Sequence, residues 1–245
     1  MSKKSNKKIK VLPNEESEEC VNSYKEKAIS NSQVLVLDEF PKRILEIQQI
    51  LTDERFSLNT FFSCESDINI PIPEKPSKER AMSLSIEYSD TFLFENGFVE
   101  SNVHLIELIE TLKPKALQLI GDSNSVKMGI SLMIPKIEDG NNFGVEIQQE
   151  MLIGVAVVEL KTRLQLDQIS EYFRRRAEMV TKIAKYPHSM DYRQALQEMD
   201  YKFRLFLRLF AFDLRNQYIG LHDMFTKNLN KIKEPRNSDN HQLMY

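Results

Sequence analysis

The residues best equipped for chemistry are four histidines, two cysteines and a run of Asp, Asn, Gly and Glu between positions 139 and 150. That run has the composition of a calcium-binding loop. With Asp139 as the first ligand, Asn141, Gly144 and Glu150 fall at positions three, six and twelve. Position five is Phe143, which has no side-chain oxygen, and position eight, normally apolar, is Glu146. The pattern therefore fails as a cation site. His104, His188, His222 and His241 lie in no HExxH motif and beside no nucleophile elbow. His222–Asp223 reads as two ordinary helix residues rather than half of a dyad. No glycine-rich phosphate loop occurs. Cys20 and Cys64 form no CxxC or Cys/His spacing, and in an intracellular chain they are expected to be free thiols. The sequence predicts no catalytic residue, no metal and no cofactor.

The 135–144 segment is instead suited to making a shaped turn. Pro135 stops the preceding helix, and Gly140 and Gly144 permit positive φ. Asn141 and Asn142 tolerate left-handed backbone and bond to nearby main chain, and Asp139 can accept loop amides. Elsewhere, three consecutive arginines, Arg174, Arg175 and Arg176, read as a solvated basic face, but they span most of a helical circumference, so at least one should face a neighbouring subunit or an acidic patch. Lys161, Arg163, Lys182 and Lys185 are candidates to line a channel in an assembly, Lys185 foremost.

These residues need elements to hold them. In 245 residues, only seven glycines and no tryptophan disfavour sandwiches and Rossmann-type folds and favour long helices. Apolar residues make up 41% and charged residues 28%, as in a core-forming soluble protein. The net charge of −3 gives no reason to expect nucleic acid or an anionic membrane as partner. No apolar run is long enough to span a bilayer, the most apolar window being Met151–Leu160.

Residues 1–14 read as a disordered lysine-rich arm, and residues 15–245 as one helical domain. Helix one is expected over about 15–60, bent or restarted at Pro41. A Pro- and Ser-rich insert follows at 63–98, tied back to the body by Phe92, Leu93, Phe94 and Phe98. Helix two is expected at about 100–134, capped by Ser101 and kinked at Pro114. Helix three should run over about 145–186. Helix four, capped by Asp191, should run over about 191–233, with a polar tail at 234–245. Apolar residues at spacings of three and four give each helix a core stripe. Short connections imply an elongated, all-α, up-down-up-down four-helix bundle. The 135–144 loop and the chain's exit then share one end, and the insert and the Tyr186–Met190 turn share the other.

IPKIEDGNNFGV at Ile134–Val145 resembles the activation loop of 11S-type proteasome activators, the REG family. KIAKYPHSMDYRQ (Lys182–Gln194) resembles that family's turn between helices three and four. RNQYIGLHDM (Arg215–Met224) and KNLNKIKEPR (Lys227–Arg236) resemble its last helix and exit. DEFPKRILEI (Asp38–Ile47) and VKMGISLMIP (Val126–Pro135) resemble its first two helices. The resemblance covers residues 20–62 and 98–245, and AKYPH, RNQY and LHDM are most similar to the gamma type. The insert departs from that type in lacking a basic nuclear signal, for which the N-terminal lysines are a substitute; nucleus, cytoplasm or both is the expected location.

The resemblance implies a homoheptameric ring that docks on the α subunits of the 20S proteasome and opens its gate without ATP, promoting ubiquitin-independent degradation. It places the activation loop at Ile137, Glu138, Asp139, Gly140, Asn141, Asn142, Phe143 and Gly144, with Asp139 and Asn142 foremost. It places proteasome docking at Leu243, Met244 and Tyr245. Ring walls need a second apolar face, for which Ile147–Val158 is the candidate. The alternative is a helical scaffold that binds other proteins and never touches the proteasome.

Overall fold

The computed structural model describes residues 15–57, 99–138 and 140–236, which form four antiparallel helical rods; among the described residues there is no strand. The basic arm, the 63–98 insert with its Phe92, Leu93, Phe94 and Phe98, Asp139, and the docking residues Leu243, Met244 and Tyr245 lie outside the described residues.

The first rod consists of α1 (Glu15–Val34), a π-turn (Leu35–Glu39) and α2 (Phe40–Leu51). Pro41, in the first turn of α2, has no N–H to give the preceding turn, and the helix widens just ahead of it. The Phe40 N–H reaches back five residues to the Leu35 carbonyl, the signature of a π-turn. The expected bend at Pro41 is thus a local change of winding. The rod ends at Leu51 rather than near 60. Asp53 accepts the Arg55 N–H at 2.9 Å and starts a short 3-10 turn at Glu54–Phe56. Phe56 is buried there, and Arg204 and Arg208 donate to the Arg55 and Phe56 carbonyls, so the chain is captured before another helical turn forms.

The second rod, α3 (Val103–Met133), is capped by Asn102, whose side chain accepts the Leu105 N–H at 3.3 Å; Ser101, the expected cap, is exposed. The helix runs unbroken through Pro114. That proline faces solvent, where water can serve the carbonyl left without a partner. The third rod, α4 (Phe143–Lys185), and the fourth, α5 (Met190–Lys233), have 43 and 44 residues and extend about 65 Å. Asp191 lies inside the first turn of α5, where its charge favours the helix N-terminus, but the capping position belongs to Ser189, which makes no side-chain bond.

The apolar stripes meet in one long core, with Phe40, Ile47, Leu112, Leu119, Ile130, Met151, Val155, Phe210, Tyr218 and Phe225 almost wholly buried. Each such side chain stabilises the bundle by about 1.5–3 kcal/mol. Phe203, Phe210 and Phe225 of α5 are core residues: Phe203 stacks on Tyr172 at 3.9 Å, and on the same helix Tyr218 meets Phe40 of α2 edge-on at 4.9 Å. Val21, Tyr24, Leu117, Met128 and Phe173, although in phase with the stripes, are exposed. α1 and α3 approach so closely that a Cβ on Gly129 would overlap the Ser32 side chain.

Candidate functional site

Where α3 gives way to α4, Ile134 is extended, as expected before a proline, and Pro135–Glu138 leave the helix. Gly140 has φ 82° and Asn141 φ 42°, so the chain reverses through two left-handed residues. Asn142 precedes α4 with φ −98° and ψ 0° and makes no side-chain cap bond; its carbonyl accepts the Glu146 N–H at 2.9 Å. Its Oδ1 accepts instead from Arg236, at 3.3 Å. Arg236, just past the end of α5, also donates to Glu138 Oε2 at 2.9 Å.

Two residues expected in the loop lie in α4 instead. Phe143 and Gly144 form the first turn of α4, and Gly144 is not at positive φ. Glycine is needed there for space: a Cβ would run into the Pro235 carbonyl. One turn further on, the buried Gln148 donates its amide to Ile232 O at 2.8 Å and to Met133 O at 3.1 Å. Those carbonyls belong to the last turns of α5 and α3, where intrahelical donors run out. Gln148, Pro235 and Arg236 thus lock three helix ends together. Sequence reasoning missed their roles, because the contacts that join the exit of α5 to the loop end close over 84 to 98 residues of chain. The one available signal was a glutamine on the core face of an otherwise apolar stripe.

The clasped frame carries exposed apolar tips. Ile137 is fully exposed and Phe143 two-thirds exposed, flanked by Gly140 and Asn141, also in solvent. Such side chains on a held backbone are suited to pressing on another surface. Glu138 is largely exposed despite its bond to Arg236.

Basic residues expected to face outward are mostly paired within the chain. Arg176 is buried, 3.6 Å from Asp200 and donating to the Glu100 carbonyl at 3.2 Å, so its acidic patch is its own. Arg174 and Arg175 bind Glu171, and those hydrogen bonds pull its carboxyl down to about 2. Lys161 pairs with Asp213 at 3.0 Å, and Arg163 with Glu159. The Glu159 carboxyl is lowered chiefly by its bond from Lys127 at 2.6 Å. Lys182 is exposed. Lys185 is exposed too, its ammonium 5.3 Å from the Tyr186 ring at the end opposite the loop.

Buried tyrosines hold two polar clusters. Tyr172 donates to Asp200 at 2.9 Å, and Asn102 donates to the same carboxylate at 3.1 Å. Tyr218 donates to Asp122 at 2.7 Å, which also pairs with Arg43. Burial, aided at Tyr172 by the Asp200 charge, pushes both phenols far above their usual range, so they remain donors. Among the described residues, no group of three or more His, Cys, Asp or Glu is arranged to hold a metal, and no helix is long and apolar enough to cross a membrane.

Models of the proteasome activator PA28 match this chain over residues 15–75 for the N-terminal part and 98–242 for the C-terminal part. The chain belongs to the PA28 family of proteasome activators. It is 40% identical over 235 residues to human proteasome activator complex subunit 3, covering 89% of this chain and 92% of the relative. Subunit 3 is the gamma type, in agreement with the resemblance of AKYPH, RNQY and LHDM. The 11S subunit of the Plasmodium falciparum proteasome, PA28, superposes with a TM-score of 0.76 at 28% identity, covering 95% of this chain and all of that one. A chain in a complex of an archaeal 20S proteasome with a mutated P26 activator shares the fold, with a TM-score of 0.62 at 14% identity, over 95% of this PA28 chain and all of that one.

Proposed function

We propose that this chain is the subunit of a ring that docks on the α-subunit face of the 20S proteasome and opens its gate without ATP, promoting ubiquitin-independent degradation of peptides and proteins. The observation that carries the reading is the clasp. In a member of the PA28 family, the exposed Ile137–Phe143 tips and the exit of α5 are fixed to each other at one end of the bundle. A docking tail leaving at that end would bring the tips against the surface to which the tail binds.

In this reading residues 15–245 form one activator domain, with the activation loop at 135–144 and the docking tail at 234–245. Ile137, Glu138, Asp139, Gly140, Asn141, Asn142, Phe143 and Gly144 open the gate. Leu243, Met244 and Tyr245 enter pockets between α subunits. The subunit itself carries no catalytic residue, metal or cofactor, and works in the nucleus, the cytoplasm or both, without nucleic-acid or membrane partners. A homoheptamer suits the outer face of α4. Met151 and Val155 point into the core, while Ile153, Val157, Leu160 and Leu164 form a second, exposed apolar stripe. Several tails on one ring bind far more tightly than one, because each later contact is intramolecular. Lys185 would border the ring's channel at the far end.

Added to 20S particles without ATP, the protein should speed hydrolysis of short fluorogenic peptides. Deleting Met244–Tyr245 should abolish binding, whereas Asn142→Tyr should leave binding and remove stimulation. Stimulation by both variants at the wild-type level would reject the mechanism. A stable monomer or dimer in analytical ultracentrifugation at micromolar concentration would favour a scaffold instead.

A further inference from the structure

We propose that Arg236 is a positioning residue that ties the root of the tail to the activation loop, so that docking and gate opening are mechanically one event. The proposal rests on the activator reading above and assigns a device within it.

Arg236 lies just beyond α5, three residues past Lys233. Its side chain turns back, largely buried, and spreads its guanidinium between Glu138 Oε2 at 2.9 Å and Asn142 Oδ1 at 3.3 Å. Those two residues flank the left-handed reversal, so one planar fork holds both sides of the loop. A lysine, with a single point charge, cannot reproduce that two-point hold. The position is electrostatically unusual. A cation beside the first turn of α4 is disfavoured by the helix dipole, so Glu138 is needed to offset it. Asn142 gives up the ordinary capping bond to its own helix in favour of this arginine.

Backbone contact makes the connection stiff. Gly144 is pressed against the Pro235 carbonyl, and Gln148 joins the ends of α3 and α5 immediately behind. A displacement of residue 236 by a docked tail therefore has no slack to absorb it before it reaches the loop. With Glu138 mostly in water, the ion pair contributes little to stability. Its value here is geometric, in fixing where Ile137 and Phe143 present their side chains.

Full-length wild type, Arg236→Ala, Arg236→Lys and the charge reversal Glu138→Arg/Arg236→Glu should be compared in two measurements. The first is hydrogen exchange, without proteasome, of the amides that seat the loop on α4, beginning with Glu146, whose N–H bonds the Asn142 carbonyl. Arg236→Ala should exchange there about tenfold faster with the rest of the rods unchanged, and Arg236→Lys should be intermediate. The second, with 20S particles, reads binding and peptide hydrolysis separately. Arg236→Ala should bind like wild type yet stimulate about fivefold less or worse, the range of an ordinary allosteric coupling. The charge reversal should recover much of the loss in the exchange measurement, which reads the restored ion pair alone. Unchanged loop exchange, or wild-type stimulation by Arg236→Ala, overturns the strap. Loss of binding in parallel with stimulation also overturns it, since Arg236 would then be a docking residue. If wild type itself fails to stimulate, the activator reading falls and the gate role with it, while the exchange measurement still decides whether Arg236 holds the loop.

Discussion

The two ends of the bundle solve the same problem, ending helices in water, by opposite means. At the far end, α4 and α5 join through the short Tyr186–Ser189 turn, and the adjoining chain is fixed by buried groups. Tyr172, Asn102 and Arg176 all converge on Asp200, beside the stacked Tyr172 and Phe203 rings. At the loop end, the ties are between side chains and the last carbonyls of α3 and α5, and the apolar residues beyond them face solvent. One end spends its side chains on itself. The other fixes its backbone and leaves side chains free for a partner, which is the division expected between a scaffold and a binding surface.

The contrast can be broken first where it should be largest. Replacing Asp200 by Ala leaves Arg176 buried without its carboxylate, which typically costs about 3–5 kcal/mol. Urea unfolding should show that loss, and a change below about 1 kcal/mol would mean that the far end does not depend on its buried charges. Gly144→Ala forces a methyl into the Pro235 carbonyl and should cost about 1–3 kcal/mol through overpacking. Differential hydrogen exchange should confine the loosening to the loop end and the exit of α5. Uniform loosening would mean that the two ends are not separable units.

Gln148→Leu keeps the volume but strips the bonds from the Met133 and Ile232 carbonyls. Left buried without a donor, these carbonyls should cost about 1–3 kcal/mol. Thermal unfolding measures it, and an unchanged midpoint would remove Gln148 from the clasp. Smallest in stability should be Ile137→Ser, within about 0.5 kcal/mol because nothing packs on that side chain. The same variant should nonetheless lower stimulation of 20S particles. A variant that lost stability in step with function would erase the distinction between the two ends.

The rods were legible because each keeps its apolar residues at spacings of three and four over tens of residues, and because Pro135 and the Tyr186–Met190 turn punctuate them. The turn at Gly140–Asn141 was legible for a local reason, since only certain residues accept left-handed backbone. What resisted reading was every interaction closing over a long stretch of chain. Gly144 looks like a turn residue in sequence and is a close-approach residue in space. Arg176 looks like part of a solvated basic run and is the buried partner of Asp200. Ser101 and Asn102 are equally good caps on paper, and Asn102 takes the role with its amide also bound to Asp200. Arg236 lies in a polar tail with no periodicity, so only the folded chain brings it to Glu138 and Asn142.

The π-turn before Pro41 has a consequence for the whole first rod. It takes one residue more than an α-turn, so every side chain after it is rotated by about 100° relative to an unbroken helix. Before the turn the rod packs on α3, where Ser32 meets Gly129; after it, α2 packs on α5. A single extra residue therefore acts as a phase shift. It lets one continuous rod serve two different neighbours, with no loop, glycine or break in the helix to mark the handover.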